Sequence, residues 1–500
     1  MAVYLSPDVF PTETDFSTYV TSLATSVFGL VGVFERGPVS EPTTVTSFPK
    51  AQDQFGKYIP QGIGMYALKA YFDNGGGRAV VVRTASYSNI ADRATLTAQK
   101  AEAVVQGAGA IDAFRIRALN EGAWGNNVSA IVSDVDTATK TFTLVIKDGS
   151  YERQYVGVTL DAFSKDFIEA RVNKIDERVW ITSLAVSALD PTAGTKALAG
   201  GQDGLTGLKD ADFIGDAGSK TGLHAFTAVE DVNVIAIPGK TSPAVIAAGI
   251  AYAENRKDAL FLGDTPEGLT VQQALDFRKG QGTYTHGAFN SSYGALYYPH
   301  VKIQDPVTGG ERIMPPSAFV AGRIAYSDQV GGVWKAPAGL ERGVLQNVIG
   351  VERVVDKGER DMLYPEGVNP IASFSEGGIV IWGQKTLQAK PSATDRINVR
   401  RLMMYVIKAA TQTSKYLLFE QHTEALRNQF VRLLEPFLRD LKSNEAFYDF
   451  KVQCDDVLNT PSVIDSNQLK ARVFVKPTKT AEFIPIDFAI APTGAVFEEL

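Results

Sequence analysis

The sequence predicts an α/β protein in which helices cover a mixed β-sheet, with a mostly β segment inserted into it and extended arms at both ends. Continuous apolar runs, such as residues 27–34 and 80–82, are typical of strands buried on both faces of a helix-covered sheet. Helical patterns alternate with these runs along the chain, as in α/β folds. Residues 88–200 instead carry short strands of alternating apolar and polar residues between polar turns, which favours a sandwich or barrel.

The composition is that of an ordinary folded protein. Of the 500 residues, 45% are hydrophobic and 21% are charged, which is enough for several packed domains. The net charge of -7 disfavours a chain that coats nucleic acid, so we expect no direct nucleic-acid partner. The single cysteine, Cys454, excludes an internal disulfide and is expected to be a buried, inert thiol.

The chain shows no membrane or export signal. No apolar run reaches the roughly 18 residues of a membrane span, so no stable membrane insertion is expected. The N-terminal residues lack the basic and apolar regions of a secretory signal. We therefore expect a protein that is made and used in the cytoplasm, or that leaves it by lysis or a dedicated route.

The first twenty residues are predicted to form an extended arm, because Pro7 and Pro11 interrupt any helix. Four apolar side chains are available to anchor this arm: Val3, Leu5, Val9 and Phe10. The first α/β unit follows, with a buried strand at 27–34, a helix, a glycine stop at 75–77 and a second strand at 80–82. Four residues of that helix share helical spacing: Tyr66, Ala67, Ala70 and Tyr71.

The alternation of strands and helices resumes near residue 204. A buried strand "VNVIAIPG" precedes a helix with Ser242 as its N-cap and Pro243 at its first position, and the strand "DALFLGD" comes next. Residues 282–370 are rich in glycine, proline and aromatic residues, and are predicted to be long loops with a role at interfaces.

Two amphipathic helices and a terminal strand are predicted in the last hundred residues. The segment "RINVRRLMMYVIKAATQTSKYLLFE" is predicted to be a helix running into a strand. In the next helix, residues 423–442, Pro436 is expected to cause a kink. One face of this helix is apolar, with Leu426, Phe430, Leu433, Leu434, Phe437 and Leu441. The opposite face is polar, with Asn428, Arg432, Glu435 and Arg439.

The closing segment "AEFIPIDFAIAP", residues 481–492, has the period of a strand with one apolar face. Its apolar residues are Phe483, Ile484, Ile486, Phe488 and Ile490. Pro485 and Pro492 each lack a backbone donor and limit the paired run to the residues between them. The period does not say whether this strand pairs within its own chain or with another.

Motifs for catalysis, cofactors and metals are incomplete. In "VIAIPGKTS", Val234 stands where a phosphate-binding loop needs its first glycine, and in "GDAGSKTG" Ser219 separates Gly218 from Lys220. No G-x-S-x-G elbow occurs. The four histidines lie in unrelated contexts: His224, His286, His300 and His422. Asp134 and Asp136 open a calcium-loop spacing without its glycine and glutamate, and predict a hairpin turn.

The sequence therefore predicts no catalytic residue, no cofactor and no metal. The alternative is an α/β hydrolase or a nucleotide-binding enzyme, which turnover of a generic ester or peptide substrate would reveal. A third hypothesis, a static shell or carbohydrate-binding module, rests on aromatic residues in the predicted loops at 293–298 and at Trp334.

An ordered set of segments resembles the contractile tail sheath proteins of bacteriophages and related contractile injection machines. The N-terminal segments are "VGVFERGPVSEPTTVTSF" and "YFDNGGGRAVVVR", followed by "ALNEGAWGNNV", "LAGGQDG" and "VNVIAIPG". The later ones are "SSYGALYYPHVKIQDP", "PPSAFVAGRIAYSD", "GVWKAPAG", "LYPEGVNPI", "IWGQKTL", "INVRRLMMYV", "LFEQHTEALRNQFVRLLEPFL" and "KPTKTAEFIPIDF". Each alone is weak, but together they are collinear over about residues 1–490.

The resemblance implies a structural protein with no active site, whose core is subtilisin-like in topology only. Copies would stack as six-fold rings around an inner tube, and contraction would drive the tube through a cell envelope, for phage genome ejection or effector delivery. The implied partners are further copies, the inner tube protein, and baseplate and tail terminator proteins. The implied location is the tail of a virion or the sheath of an injection particle, assembled in the host bacterial cytoplasm.

The resemblance also assigns roles to parts of the chain. Both terminal arms would join a sheet in adjacent subunits, and Arg432 and Arg439 would face the tube because the C-terminal domain lies innermost in this family. The implied segments are an N-terminal linking arm at 1–20, the first part of the core at 21–87, a β-rich outer insertion at 88–203, an α/β subtilisin-like domain at 204–370, a tube-facing C-terminal core domain at 371–480 and a C-terminal linking strand at 481–500.

Overall fold

The structure, a computed structural model, describes residues 24–184 and 190–486. These residues divide into two compact units, here called the large unit, which ends at Gln412, and the small unit, which begins at Thr413. The predicted anchors Val3, Leu5, Val9 and Phe10 lie outside the described residues, as do Phe488 and Ile490.

Along residues 24–184 and 190–486 the strands are β1 (Phe28–Gly32), β2 (Thr43–Val45), β3 (Ala79–Arg83), β4 (Glu102–Gln106), β5 (Asp112–Ala118), β6 (Val128–Asp136), β7 (Thr141–Asp148), β8 (Tyr151–Val158), β9 (Val179–Ser183), β10 (Gly194–Ala197), β11 (Val234–Ala236), β12 (Leu260–Asp264), β13 (Gly294–Tyr298), β14 (Val301–Gln304), β15 (Glu311–Met314), β16 (Gly350–Val351), β17 (Val368–Phe374), β18 (Gly378–Ile381), β19 (Phe447–Gln453) and β20 (Arg472–Pro477).

Over the same ranges the α-helices are α1 (Phe48–Phe55), α2 (Gly64–Asp73), α3 (Ile168–Val172), α4 (Asp210–Ile214), α5 (Pro243–Arg256), α6 (Val271–Lys279), α7 (Ser317–Gly331), α8 (Gly339–Arg342), α9 (Lys357–Leu363), α10 (Ile397–Lys415), α11 (Glu424–Ser443) and α12 (Pro461–Asp465).

The large unit is built on a mixed eight-stranded sheet with the order β18-β17-β13-β12-β11-β1-β3-β2. The six strands from β17 to β3 are parallel, and the edge strands β18 and β2 are antiparallel to their neighbours. Residues 28–32 and 79–83 are buried along their whole length because both faces of the sheet are covered. This arrangement confirms the predicted α/β class with helices on a mixed sheet.

Alternate side chains of each central strand enter two separate cores. In β1, Phe28 and Leu30 pack in the core that contains α2 and α7, while Val31 packs on the opposite face with residues of α5 and α6. The α5 cap is as predicted, since Ser242 Oγ accepts a hydrogen bond from the Val245 amide and proline occupies the first turn. The result is a three-layer arrangement of helices, sheet and helices.

Between β3 and β11 the chain leaves the central sheet and forms β-rich structure. Four strands pair in the order β10-β6-β7-β8 and three in the order β4-β5-β9, around a third apolar core. Strands β6 and β7 are antiparallel neighbours joined after Asp136, so the hairpin turn predicted there is confirmed.

The prediction of long loops over residues 282–370 is wrong. This range contains four strands, β13 to β16, the start of β17, and three helices, α7 to α9. Pro316 is the N-cap of the fifteen-residue helix α7, whereas Pro370 lies inside strand β17, so prolines in this range do not exclude regular elements. Much of α7 is buried, so its sequence lacks the apolar stripe of an amphipathic helix. The glycine and proline content of this range therefore predicted loops where helices and strands form.

The small unit packs α11 against the antiparallel pair β19 and β20. The predicted strand after α10 is wrong, because residues 416–419 form a turn in which Phe419 is fully exposed. On α11, Leu426, Phe430, Leu434 and Leu441 are buried as predicted, whereas Leu433 and Phe437 are only half-buried. Two buried positions were not predicted: Leu438 and Arg427, whose guanidinium pairs with Asp456.

Candidate assembly surfaces and the carboxyl edge of the sheet

Among residues 413–486, the antiparallel pair of β19 and β20 presents two open strand edges. The strands pair in antiparallel register, with Phe450 opposite Val475 and Lys451 opposite Phe474. Within residues 413–486 neither outer edge pairs with a further strand. A two-stranded sheet is marginal alone, and unpaired edges carry rows of backbone donors and acceptors that another strand can satisfy.

The two faces of this strand pair differ in burial. Phe450, Val452, Val473 and Val475 are half-buried, whereas the opposite face is exposed. Strand β19 packs against α11, which holds the strand pair in place. An added strand would therefore extend an existing apolar face and would also gain backbone hydrogen bonds.

The polar face of α11 borders a shallow open groove of about 660 Å³ whose other wall includes Asp449 and Phe450. Arg439 Nη2 lies 3.6 Å from Glu435 Oε2, so its charge is partly compensated. Lys442 donates to Asp449 at 2.8 Å, and this hydrogen bond lowers the pKa of the Asp449 carboxyl. Arg432 is exposed and forms no ion pair with a carboxylate of the described residues.

The described part of the closing segment is exposed and outside any strand. Phe483, Ile484 and Ile486 are 78%, 76% and 67% exposed, and residues 481–486 are not part of a ladder. Three large apolar side chains in six residues are costly to leave in water. The predicted linking role of these residues stays a prediction.

The structure brings a serine, a histidine and an aspartate together where β12 and β13 end. Ser317 Oγ donates to Asp264 Oδ2 at 2.7 Å and the Ser317 amide donates to Asp264 Oδ1 at 2.9 Å. His300 Nε2 instead lies 2.7 Å from the Thr265 carbonyl oxygen. Burial raises the pKa of the Asp264 carboxyl, while His300 and the bonds from Ser317 oppose this rise.

The hydrogen bonds of this cluster are not those of a catalytic nucleophile and its base. The Ser317 side chain is fully buried at the first position of α7, and its hydroxyl is bonded to the carboxylate. Asp264 caps the helix, because it accepts from the buried Ser317 amide, which has no partner within the first turn. The sequence motifs missed the cluster because its members are far apart along the chain.

The aromatic residues behind the carbohydrate-binding hypothesis do not form an exposed surface. Residues 294–298 are strand β13, buried in the central sheet, and Trp334 is half-buried. For residues 295–298 that hypothesis is wrong, because their side chains fill the two cores. The thiol of Cys454 is buried and free, as predicted.

Metal-binding groups and membrane-spanning helices were sought in the described ranges. Within residues 24–184 and 190–486 no group of His, Cys, Asp and Glu side chains is arranged to hold a metal ion. In the same part of the chain, no helix has both the length and the apolar character needed to cross a membrane.

Comparison with known proteins identifies two domains by sequence. Residues 214–387 match the phage tail sheath protein central domain, and residues 389–491 match the phage tail sheath C-terminal domain. The tail sheath protein of Enterobacteria phage T4 is 35% identical over 261 residues, or 50% of this chain and 40% of the relative. That of Vibrio phage KVP40 is 28% identical and covers 75% of this chain and 57% of the relative. The chain thus spans about half the length of these two relatives.

A shorter relative matches over almost its whole length. The tail sheath protein of Burkholderia phage BcepMu is 28% identical over 472 residues, which cover 90% of this chain and 89% of that protein.

Solved structures share the fold at low sequence identity. A sheath tail protein from Listeria innocua superposes with a TM-score of 0.62 at 11% identity, covering 91% of this chain and 96% of that one. The helical sheath of the anti-feeding prophage in its contracted state gives a TM-score of 0.59 at 18% identity, with 97% and 99% covered. The sheath of an extracellular contractile injection system in its contracted state gives 0.58 at 16% identity, covering 98% of this chain and 99% of that one.

Proposed function

Because this chain belongs to the phage tail sheath protein family, we propose that it is the structural subunit of a contractile tail sheath. Copies assemble as stacked six-fold rings around an inner tube, and contraction drives that tube through a target cell envelope, for genome ejection or effector delivery. The two domain matches over residues 214–387 and 389–491 carry this proposal. The subunit works by changing its packing against neighbours, with no catalytic residue, cofactor or metal.

A contracting sheath needs a connection between subunits that persists while other contacts change. The proposed connection is β-strand addition: residues 1–20 and 481–500 of neighbouring subunits pair with the open edges of β19 and β20. Each backbone hydrogen bond contributes about 1 kcal/mol net, so five or six give several kcal/mol per junction. An arm of twenty extended residues reaches at most about 66 Å, well beyond the ~23 Å radius of gyration of a compact chain of this length.

The exposed apolar residues at the start of the C-terminal arm support this assignment. Phe483, Ile484 and Ile486 are largely exposed in the single chain, and pairing with a neighbour would bury part of that area. The segments proposed from the sequence belong to the same proposal: arms at 1–20 and 481–500, core parts at 21–87 and 204–370, an outer insertion at 88–203 and an inner domain at 371–480. The subtilisin-like label describes only the topology of that core.

The proposed partners are further copies of the chain, an inner tube protein, a baseplate and a tail terminator. The protein would be assembled in the host bacterial cytoplasm and would reside in the tail of a virion or injection particle. Similar structures come from sheath and baseplate assemblies, which supports the first and third of these partners.

Purified full-length protein is expected to form long tubes or helical polymers of the contracted type. Strand addition between identical subunits propagates from copy to copy, so assembly needs no other component. Negative-stain electron microscopy over a range of salt and protein concentrations provides the measurement. Persistent monomers under all these conditions would contradict the proposed function.

The double variant Arg432→Glu and Arg439→Glu is expected to assemble poorly around tubes while its monomer stays folded. Both side chains lie on the exposed polar face of α11, where two charge reversals remove attraction to acidic groups of a tube. Co-sedimentation of the variant with purified tubes measures the effect. The matched control reverses the exposed Lys165 and Lys174 of the β-rich segment, which changes the net charge equally. Normal tube-bound sheaths from the α11 variant would refute the tube-facing role.

A further inference from the structure

A cleft lies where the strand order of the central sheet reverses. From β1 the chain proceeds to β3 on one side, and later returns to β11 on the other side of β1. The loops that follow β1 and β11 therefore leave the sheet in different directions and open a cleft between them. In doubly wound α/β folds, ligands bind at this reversal, beyond the carboxyl ends of the strands.

The cleft has the size of a small-molecule site, at about 430 Å³. Its walls come from residues 31–33 at the end of β1, residues 61–64 at the start of α2 and residues 238–241 after β11. His300, two residues after β13, and Arg312, from β15, also line the cleft, together with Phe213, Glu267, Ile313 and Pro315.

Glycines make the close backbone approach around the cleft possible. A Cβ atom at Gly62 or Gly64 would lie 2.7 Å from the Val33 carbonyl oxygen. Gly239 has a φ of +77°, and a Cβ there would lie 2.4 Å from Cδ1 of Ile63. A side chain at any of these three glycines would therefore clash with a neighbouring segment of the lining.

The cleft offers positive charge and donors. Helix α2 has ten residues and begins at Gly64, and its N-cap residue Ile63 provides no side-chain cap, so the positive end of the helix dipole faces the cleft lining. Lys240 Nζ lies 4.3 Å from the ring centroid of Phe213 and forms no ion pair with a carboxylate of the described residues. Arg312 is already engaged with Asp305 at 3.4 Å, and Glu267 is the acidic residue of the lining.

A buried histidine nitrogen without a partner provides the second, independent indication of a ligand. His300 is 4% exposed, and its Nδ1 has no hydrogen-bond partner among the described residues. Its Nε2 lies 2.7 Å from the Thr265 carbonyl oxygen and must donate to it, so in the neutral ring Nδ1 is an acceptor. Leaving this buried acceptor unpaired costs free energy.

We propose that this cleft binds a small phosphate-bearing molecule, whose anionic oxygens accept from Lys240 and the first amides of α2 and whose hydroxyl donates to Nδ1 of His300. Hydrogen phosphate combines both properties, and a nucleoside monophosphate combines an anionic phosphate with ribose hydroxyls that donate, whereas a carboxylate at neutral pH only accepts. The arrangement is not a P-loop, since Val234 stands where that motif has its first glycine. The ligand would connect residues 61–64, at the start of α2, with the β11–α5 loop without any chemical step.

Equilibrium dialysis of the full chain against radiolabelled inorganic phosphate, AMP or sulfate tests the proposal independently of polymerisation. Sulfate matches hydrogen phosphate in shape and charge but has no proton to donate near neutral pH. We expect saturable binding of phosphate or AMP, at least about tenfold tighter than that of sulfate. Tighter binding of AMP than of phosphate would identify a nucleotide as the ligand, and equal binding would identify the free phosphate group.

Two variants locate the site. Lys240→Met keeps the alkyl stem against Phe213 but removes the charge, and should weaken phosphate or AMP binding about tenfold. Lys357→Met, on the exposed surface of α9, should leave binding unchanged. Circular dichroism verifies that both variants are folded. The proposal is overturned if neither ligand binds saturably below about 10 mM, if sulfate binds equally well, or if the two variants behave alike.

Discussion

Deletion of residues 481–500 is expected to abolish polymerisation while leaving a folded monomer. Residues 481–486 form no strand in the single chain, and their three large apolar side chains are exposed, so their removal costs the monomer little. Between subunits, the same segment would provide five or six hydrogen bonds of about 1 kcal/mol each. Their loss weakens each junction by several kcal/mol, or about three to four orders of magnitude in the association constant. Electron microscopy and sedimentation velocity measure assembly, and thermal unfolding by circular dichroism measures folding.

A finer variant separates strand pairing from the mere length of the tail. Phe483→Asp with Ile486→Asp keeps the chain length but places charges where a paired strand would bury apolar side chains. Phe163→Asp is the control, because Phe163 is also an exposed apolar residue but lies in the β-rich segment. Assembly should fail in the first variant and persist in the control. If the truncated chain still formed sheaths, the connection between subunits would have to lie elsewhere.

The sequence predicted those elements best whose local residue pattern alone determines their structure. The strands at 28–32 and 79–83 were predictable because burial on both faces requires continuous apolar residues. The α5 N-terminus was predictable because serine followed by proline satisfies the first turn locally. Helix α7 was missed because its burial on most sides removes the stripe by which a helix is usually recognised.

It was harder to predict from the sequence which residues of the candidate sites lie close together in space. Asp264 and His300 come together because β12 and β13 are parallel neighbours, whose carboxyl ends meet at one edge of the sheet. A polar residue directly after a buried strand was the available signal: Asp264 ends "DALFLGD" and His300 follows "ALYYP". The open edges of β19 and β20 had no comparable signal, because sequence spacing does not show which strand edges remain unpaired.

Arg401→Ala is expected to destabilise the large unit by about 3–5 kcal/mol. The Arg401 guanidinium, on α10, binds both oxygens of Asp328, on α7, at 2.7 and 2.6 Å, and the two side chains are 2% and 4% exposed. Arg401 also donates to the Thr25 carbonyl at 2.9 Å, just before β1. Truncation of the arginine would leave a buried carboxylate without its partner, and desolvation makes such a charge costly.

Urea unfolding monitored by tryptophan fluorescence measures this effect in the large unit, which contains Trp124, Trp180, Trp334 and Trp382, all the tryptophans of the chain. Protein concentration must be equal across variants, because assembly shifts apparent stability.

Lys357→Ala, which removes an exposed i,i+4 ion pair, should reduce the free energy of unfolding by less than about 1 kcal/mol. Replacing both partners, as Arg401→Met with Asp328→Leu, should cost less than Arg401→Ala alone because no unpaired charge remains. Equal losses in the Arg401→Ala and Lys357→Ala variants would mean that this ion pair does not hold the start of β1 to α7 and α10. Thr25 is the second of the described residues, so a stable ion pair there would give the proposed N-terminal arm a fixed point of attachment when a neighbouring subunit pulls on it.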